Sequence, residues 1–154
     1  MTRLAPAGRT RGDCWWRAAA FVLDTPGATL CVGIFRAATA EERAVEPEAS
    51  DVPFFHAWCL YRGNVVAPTT YERAGNQLVS MNRDSYYAVN GARDIRCVTR
   101  PRLLKISKEI GLARLLMGRQ NRTTEPLSER LLRELNYEWM VTDDGGVVPV
   151  MENA

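Results

Sequence analysis

Two residues in this 154-residue chain carry the chemistry of a nucleophile and its base: Cys14 and His56. Cys14 sits in Gly12-Asp13-Cys14-Trp15, directly ahead of the alanine-rich run Arg17 to Leu23. Asp13 is a good N-cap, so the pattern predicts a helix whose first turn holds the thiol. A helix N-terminus carries partial positive charge, which favours the thiolate, and the thiolate is the nucleophilic form. An imidazole close by completes such an activation. His56 is the only histidine, so any cysteine–histidine pair in this chain has to use it. It stands in the apolar, strand-like run Pro53 to Trp58, where a titratable ring breaks the pattern.

These two residues depend on the elements around them. Residues 1–12 read as an irregular leader, and the helix runs from Asp13 through Leu23. Asp24 to Ala28 form a turn, and Thr29 to Arg36 a strand with Gly33 at its middle. Residues 37–52 are acidic and alanine-rich, a surface loop or short helix. Val52 to Tyr61 is strongly β-like; Arg62-Gly63-Asn64 reads as a hairpin turn, and Val65-Val66 starts a partner strand that Pro68 ends. Residues 69–84 read as loop, Ser85 to Val89 as a short strand, Asn90-Gly91 as a turn and Asp94 to Thr99 as a strand. Pro101 opens an amphipathic helix to about Met117, with Leu103, Ile106, Ile110, Ala113 and Met117 on one face, and Gly118 stops it. A second helix runs from Thr124-Glu125-Pro126 to about Asn136, with Leu127, Leu131, Leu132 and Leu135 inward. A turn at Asp143 to Gly146 precedes Val147 to Val150. Helix, strands, then helices predict an α+β class with a largely antiparallel sheet. One domain is expected over residues 1–154, with a catalytic-type core over 13–100 and a helical part over 101–154.

The run GDCWWRAAAF, the strand TLCVGIF, the triplet His56-Ala57-Trp58, the RGN hairpin and Ala67-Pro68-Thr69 follow one another in an order and spacing that resemble the transglutaminase-like and papain-like cysteine enzymes, in a small bacterial or phage-type form. The likeness covers roughly residues 12–70, and Tyr86-Tyr87 is similar to a Tyr-Tyr strand in small members. It implies a nucleophile helix on an antiparallel sheet, Cys14 as nucleophile, His56 as base, and a peptide, protein or side-chain amide as substrate. Hydrolysis and transfer to an amine are both open. The family pattern places an aspartate where this chain has Ala67. Such an acid orients the imidazole and stabilises its charged form, which alanine cannot do. Asn64, Thr69, Thr70 and Asp84 are the nearby polar residues that would stand in, or the chain works as a dyad, or it has kept the fold and binds a protein partner without catalysis. Asp13, Trp15 and Trp58 are supporting candidates: Trp15 and Trp16 as helix packing, Trp58 as a shield on the strand face it shares with His56. The Cys14 backbone N–H is the natural first donor to an oxyanion; Thr10, a backbone amide or the Trp15 indole are candidates for the second.

Bulk composition sets the outer bounds. Hydrophobic residues make up 46% and charged residues 25%, which suits a globular domain rather than a disordered chain. A net charge of +2 gives no argument for nucleic acid. The arginines Arg93, Arg96, Arg100 and Arg102 read as a solvated strand face leading into a helix. No apolar run approaches the roughly 18 residues of a membrane span, and no signal peptide is seen, so the expected setting is cytoplasmic. Four cysteines without a C-x-x-C pair, beside one histidine, imply neither a metal site nor another cofactor, and disulfides are not expected. Cys31 and Cys59 read as small buried hydrophobes. Asp143 to Gly146 lacks the ligand spacing of a calcium loop.

Overall fold

The computed structural model describes residues 13–45, 47, 49–67, 73–74, 77–110, 127–141 and 147–150, with backbone alone at 13, 14, 67, 73, 74 and 77–79. The first helix, α1 (Asp13–Asp24), buries Trp15, Ala18, Ala19 and Val22, a stripe at helical spacing, with small residues that let its backbone approach the sheet. A turn leads into β1 (Thr29–Phe35), which is buried on both faces from Leu30 onwards and is therefore an interior strand. The acidic stretch forms a short helix, α2 (Ala40–Val45). It starts with a capping box: the Glu42 N–H donates to Thr39 Oγ1 at 3.1 Å and the Thr39 N–H donates to Glu42 Oε1 at 2.9 Å. Strands β2 (Phe54–Tyr61) and β3 (Asn64–Ala67) make the expected hairpin, with Arg62 and Gly63 at φ 53° and 80°, the left-handed pair that a two-residue hairpin loop requires.

The stretch expected as loop contains two strands, β4 (Arg73–Ala74) and β5 (Gln77–Asn82). The stretch expected as a Tyr-Tyr strand is a helix, α3 (Arg83–Asn90). Its ends explain the difference. The Asn82 side chain accepts from the N–H groups of Asp84 and Ser85 at 2.9 and 3.1 Å, an N-cap, and Gly91 closes the helix at φ 56°. Strand β6 (Arg93–Val98) follows, then α4 (Arg100–Ile110) and α5 (Leu127–Glu134). The expected continuation of α4 through Ala113 and Met117 to Gly118, the start of α5 at Thr124, and the Asp143–Gly146 turn lie outside the described residues. Last come β7 (Trp139–Val141), which was not expected, and β8 (Val147–Pro149), which pair with each other.

The class is α+β, and every described strand pair is antiparallel. The main sheet runs β4-β5-β3-β2-β1-β6. One face carries Leu30, Val32 and Ile34 of β1 with Phe55, Ala57 and Cys59 of β2; α1, α4 and α5 cover it. The other carries Cys31 and Phe35 with Phe54 and Trp58, and Tyr86 of α3 covers it. Leu103, Ile106, Leu131 and Leu132 are fully buried in the first layer, each contributing about 1.5–3 kcal/mol. Among the described residues no helix is long and apolar enough to cross a membrane.

Candidate functional site

Cys14 is the second residue of α1, in the helical turn where a backbone dipole acts on a thiol. Its side chain lies outside the described residues. The helix packs directly on β2, the strand that carries His56. To that extent the elements stand where the sequence puts them.

The face of the strand is a separate matter. Along β2, Phe55, Ala57 and Cys59 turn towards α1, and the Cys59 thiol donates to the Ala18 carbonyl at 3.3 Å. Strand alternation sends Phe54, His56 and Trp58 to the opposite side. The His56 imidazole is fully buried there, its centroid 4.8 Å from that of Phe35 and 6.2 Å from that of Trp58, on which it stacks at 25°. The apolar stripe of α1 and the His56 ring thus lie on opposite faces of the sheet. A contact between Cys14 and His56 has to be made around the margin of the sheet rather than across it. The register leaves room for such a margin. β3 pairs with β2 only over Cys59–Tyr61, so beside His56 the sole paired strand among the described residues is β1, through Gly33.

The supporting candidates divide in the same way. Trp58 shares the face of His56 and lies against it. Trp15 is buried on the α1 side, away from the ring. Asn64 is exposed at the hairpin and pairs with Tyr61, five residues from His56, about 16 Å along the strand. That separation removes Asn64 as a direct partner of the imidazole. Asp84 is exposed in the first turn of α3, 3.6 Å from Arg83. Ala67, in the place of the expected acid, ends β3; Thr10, Thr69 and Thr70 lie outside the described residues. Asp13 is the first residue of α1.

The arginine run has a structural assignment that sequence alone did not give it. Arg100 donates to the Val22 and Leu23 carbonyls, capping the C-terminal end of α1, with its shortest bond 2.7 Å. Arg96 pairs with Asp94 and donates to the Leu135 and Asn136 carbonyls. Arg102 pairs with Glu134. Among the described residues no cluster of three histidine, cysteine or acidic side chains could hold a metal ion.

One pair of reactive side chains went unnoticed in the sequence. Cys31 of β1 and Cys97 of β6 are directly opposed in register, with their Sγ atoms 2.8 Å apart. Cys31 is buried and Cys97 exposed. They are 66 residues apart, so no spacing motif announces them; strand pairing alone brings them together. Beside them, burial pushes the Tyr87 phenol up to about 12. No protein-family model, no curated protein and no solved structure matches this chain.

Proposed function

We propose that this chain is a thiol-dependent hydrolase or acyltransferase of papain-like or transglutaminase-like type, acting on an amide of a peptide, protein or side chain. The observation that carries the reading is the position of Cys14 in the first turn of α1, on a helix packed against the strand of the sole histidine. In the reaction the Cys14 thiolate attacks the carbonyl carbon and His56 takes up the thiol proton. His56 then returns a proton to the leaving amine, and water or a second amine resolves the acyl-thioester. The Cys14 backbone N–H is the first donor to the developing oxyanion. With Ala67 in place of the acid, the imidazole is oriented by packing on Phe35 and Trp58.

A second reading has its own observation. The His56 ring faces away from the apolar stripe of α1, which favours a catalytically impaired relative that keeps the fold as a protein-binding module. Exposed Met140, Val141 and Val150 beside the β7–β8 hairpin offer such a module an apolar contact surface.

The two readings part on the reactivity of Cys14. Alkylation by iodoacetamide is followed from pH 5 to 9 by mass spectrometry of the Cys14 peptide, in the native chain and in His56→Asn, which keeps a polar side chain in the buried site. The enzyme reading expects rapid reaction near pH 6, slowed at least ~10-fold by the substitution. A Cys14 that reacts only above about pH 8, as a free thiol does, and ignores His56→Asn leaves the binding module standing.

A further inference from the structure

We propose that Cys31 and Cys97 form a modification site, a peroxide-reactive thiol pair that closes into a disulfide between β1 and β6. It is independent of the Cys14–His56 reading and uses neither residue.

The geometry comes from the sheet. Residues directly opposed in an antiparallel pair have Cα atoms about 4.5–5.5 Å apart, within the span of about 4.4–6.8 Å that a disulfide bridges. Cys31 and Cys97 hold such positions, and their sulfurs are already in contact at 2.8 Å. The surroundings give the two thiols different tasks. Cys97 faces solvent on the edge strand of the sheet, open to a small oxidant, while Cys31 is sealed beneath it. The Cys31 thiol is held protonated by its hydrogen bond to Cys97 and by burial, and the same hydrogen bond lowers the Cys97 pKa. Of the two sulfurs, the one that ionises more readily is thus the one that a peroxide can reach.

The chemistry balances with a peroxide as oxidant. The Cys97 thiolate attacks one peroxide oxygen; the S–O bond forms, the O–O bond breaks, and hydroxide or alkoxide leaves. The Cys97 sulfur is oxidised by two electrons to a sulfenic acid and the peroxide is reduced to water or an alcohol. The Cys31 sulfur then attacks the Cys97 sulfur. The S–S bond forms and the S–O bond breaks. The departing oxygen leaves as water with the thiol proton. A buried resolving thiol in contact with the sulfenic acid favours the disulfide over further oxidation. The product staples the edge strand to its neighbour, and a dithiol reductant reverses it.

The experiment uses the full chain. It is treated with a small excess of hydrogen peroxide, denatured, alkylated and mapped by mass spectrometry without reduction. The expected result is the loss of two alkylatable thiols, a Cys31 peptide joined to the Cys97 peptide, and recovery of both thiols with dithiothreitol. In Cys31→Ala, which fills the buried position with a small apolar group, Cys97 is expected to trap dimedone and to progress to sulfinic acid. In Cys97→Ser, a change at an exposed site, Cys31 is expected to resist both peroxide and native-state alkylation. A Cys31 and Cys97 that stay alkylatable after peroxide overturn the proposal. So does a disulfide from either one to Cys14, to Cys59 or to a second molecule.

Discussion

A methyl group at position 33 has nowhere to go. Built on the backbone, it would lie 2.8 Å from Cη2 of Trp58, 3.2 Å from Cγ1 of Ile95 and 3.3 Å from the Arg93 carbonyl oxygen. Trp58 cannot simply retreat, because its ring lies against Phe35, Tyr86 and Tyr87 at centroid distances of 5.4, 6.0 and 5.5 Å. Gly33 is also the residue opposite His56, whose ring stacks on Trp58. The absence of a side chain on β1 is thus what seats the indole, and the indole in turn seats the imidazole. Gly33→Ala is expected to cost about 1–3 kcal/mol, the usual penalty of overpacking, offset in part by the smaller chain entropy of alanine in the unfolded state. In a Trp58→Phe background the shorter ring ends before the new methyl, and the same change is expected to cost about 1 kcal/mol less. Urea denaturation of the four proteins in this cycle measures the difference. An equal penalty in both backgrounds would show that the indole is not what excludes the methyl group.

At the scale of elements, Arg36 ties three of them together: it donates to both Glu42 oxygens in α2, to the Val89 carbonyl in α3 and to the Ala37 carbonyl just after β1. The Arg36 guanidinium holds the Glu42 carboxyl down at about 2, and the Thr39 N–H adds to it. The unfolded value is near 4.3, so the stabilisation is fully present above that pH and is lost as the pH falls through about 2. The pair is partly exposed, so solvent screens it and its worth is modest. Glu42→Gln keeps the capping box but not the charge, so it is expected to cost about 0.5–1 kcal/mol at neutral pH. That gap between wild type and variant should close by about pH 2, as urea midpoints at three pH values would register; a gap that persists there would belong to the cap alone. Such local devices are also what made much of the fold legible. Asp13 opens α1, Arg62-Gly63 turns β2 into β3, and Leu103 and Ile106 mark α4. The misreadings have two sources, composition that outweighed a local cap and strands defined only by their pairing. Ser-Tyr-Tyr-Ala-Val has the composition of a strand, but strand propensity yields to context, and the cap bonds at Asn82 and Gly91 make it a helix. β7 is three residues long and acquires its identity from pairing with β8. The candidate site divides along the same line. The types of Cys14 and His56 were readable, and alternation alone groups His56 with Trp58. Both faces of β2 are apolar, however, so nothing in the strand said which of them α1 would cover. The Cys31–Cys97 contact needed a register spanning 66 residues.

For the molecule as a whole, α5 and the residues after it pack into the same layer that α1 occupies, and Tyr137 supplies its polar anchor. A bulge in the β1–β6 ladder between Val32 and Ile34 interrupts the regular pairing. The Tyr137 hydroxyl answers it, donating to the Val32 carbonyl at 3.0 Å and sharing the same proton with the Asp94 carbonyl. Burial holds its phenol well above the ordinary value, and the Asp94 carboxylate adds to the effect, so the group stays a donor through neutral pH. Around it, the ring meets Phe55 edge-on at 5.1 Å and carries the Arg96 guanidinium 4.2 Å from its centroid. Arg96 in turn holds the Leu135 and Asn136 carbonyls, just past α5. Arg96 and Tyr137 together bind the chain just past α5 to β1 and β6, which gives one arginine of the run a structural task. Tyr137→Phe separates the parts of this anchor. The ring contacts and the cation–π contact survive, while the buried Val32 carbonyl loses its donor at the bulge. The expected cost is about 1–2 kcal/mol, close to that of leaving one buried acceptor unsatisfied. Amide exchange should quicken first in β6 and beyond Leu135, because those are the segments the hydroxyl joins. A variant as stable as the wild type, with unchanged exchange in β6, would mean that ring burial alone holds the C-terminal segment in place.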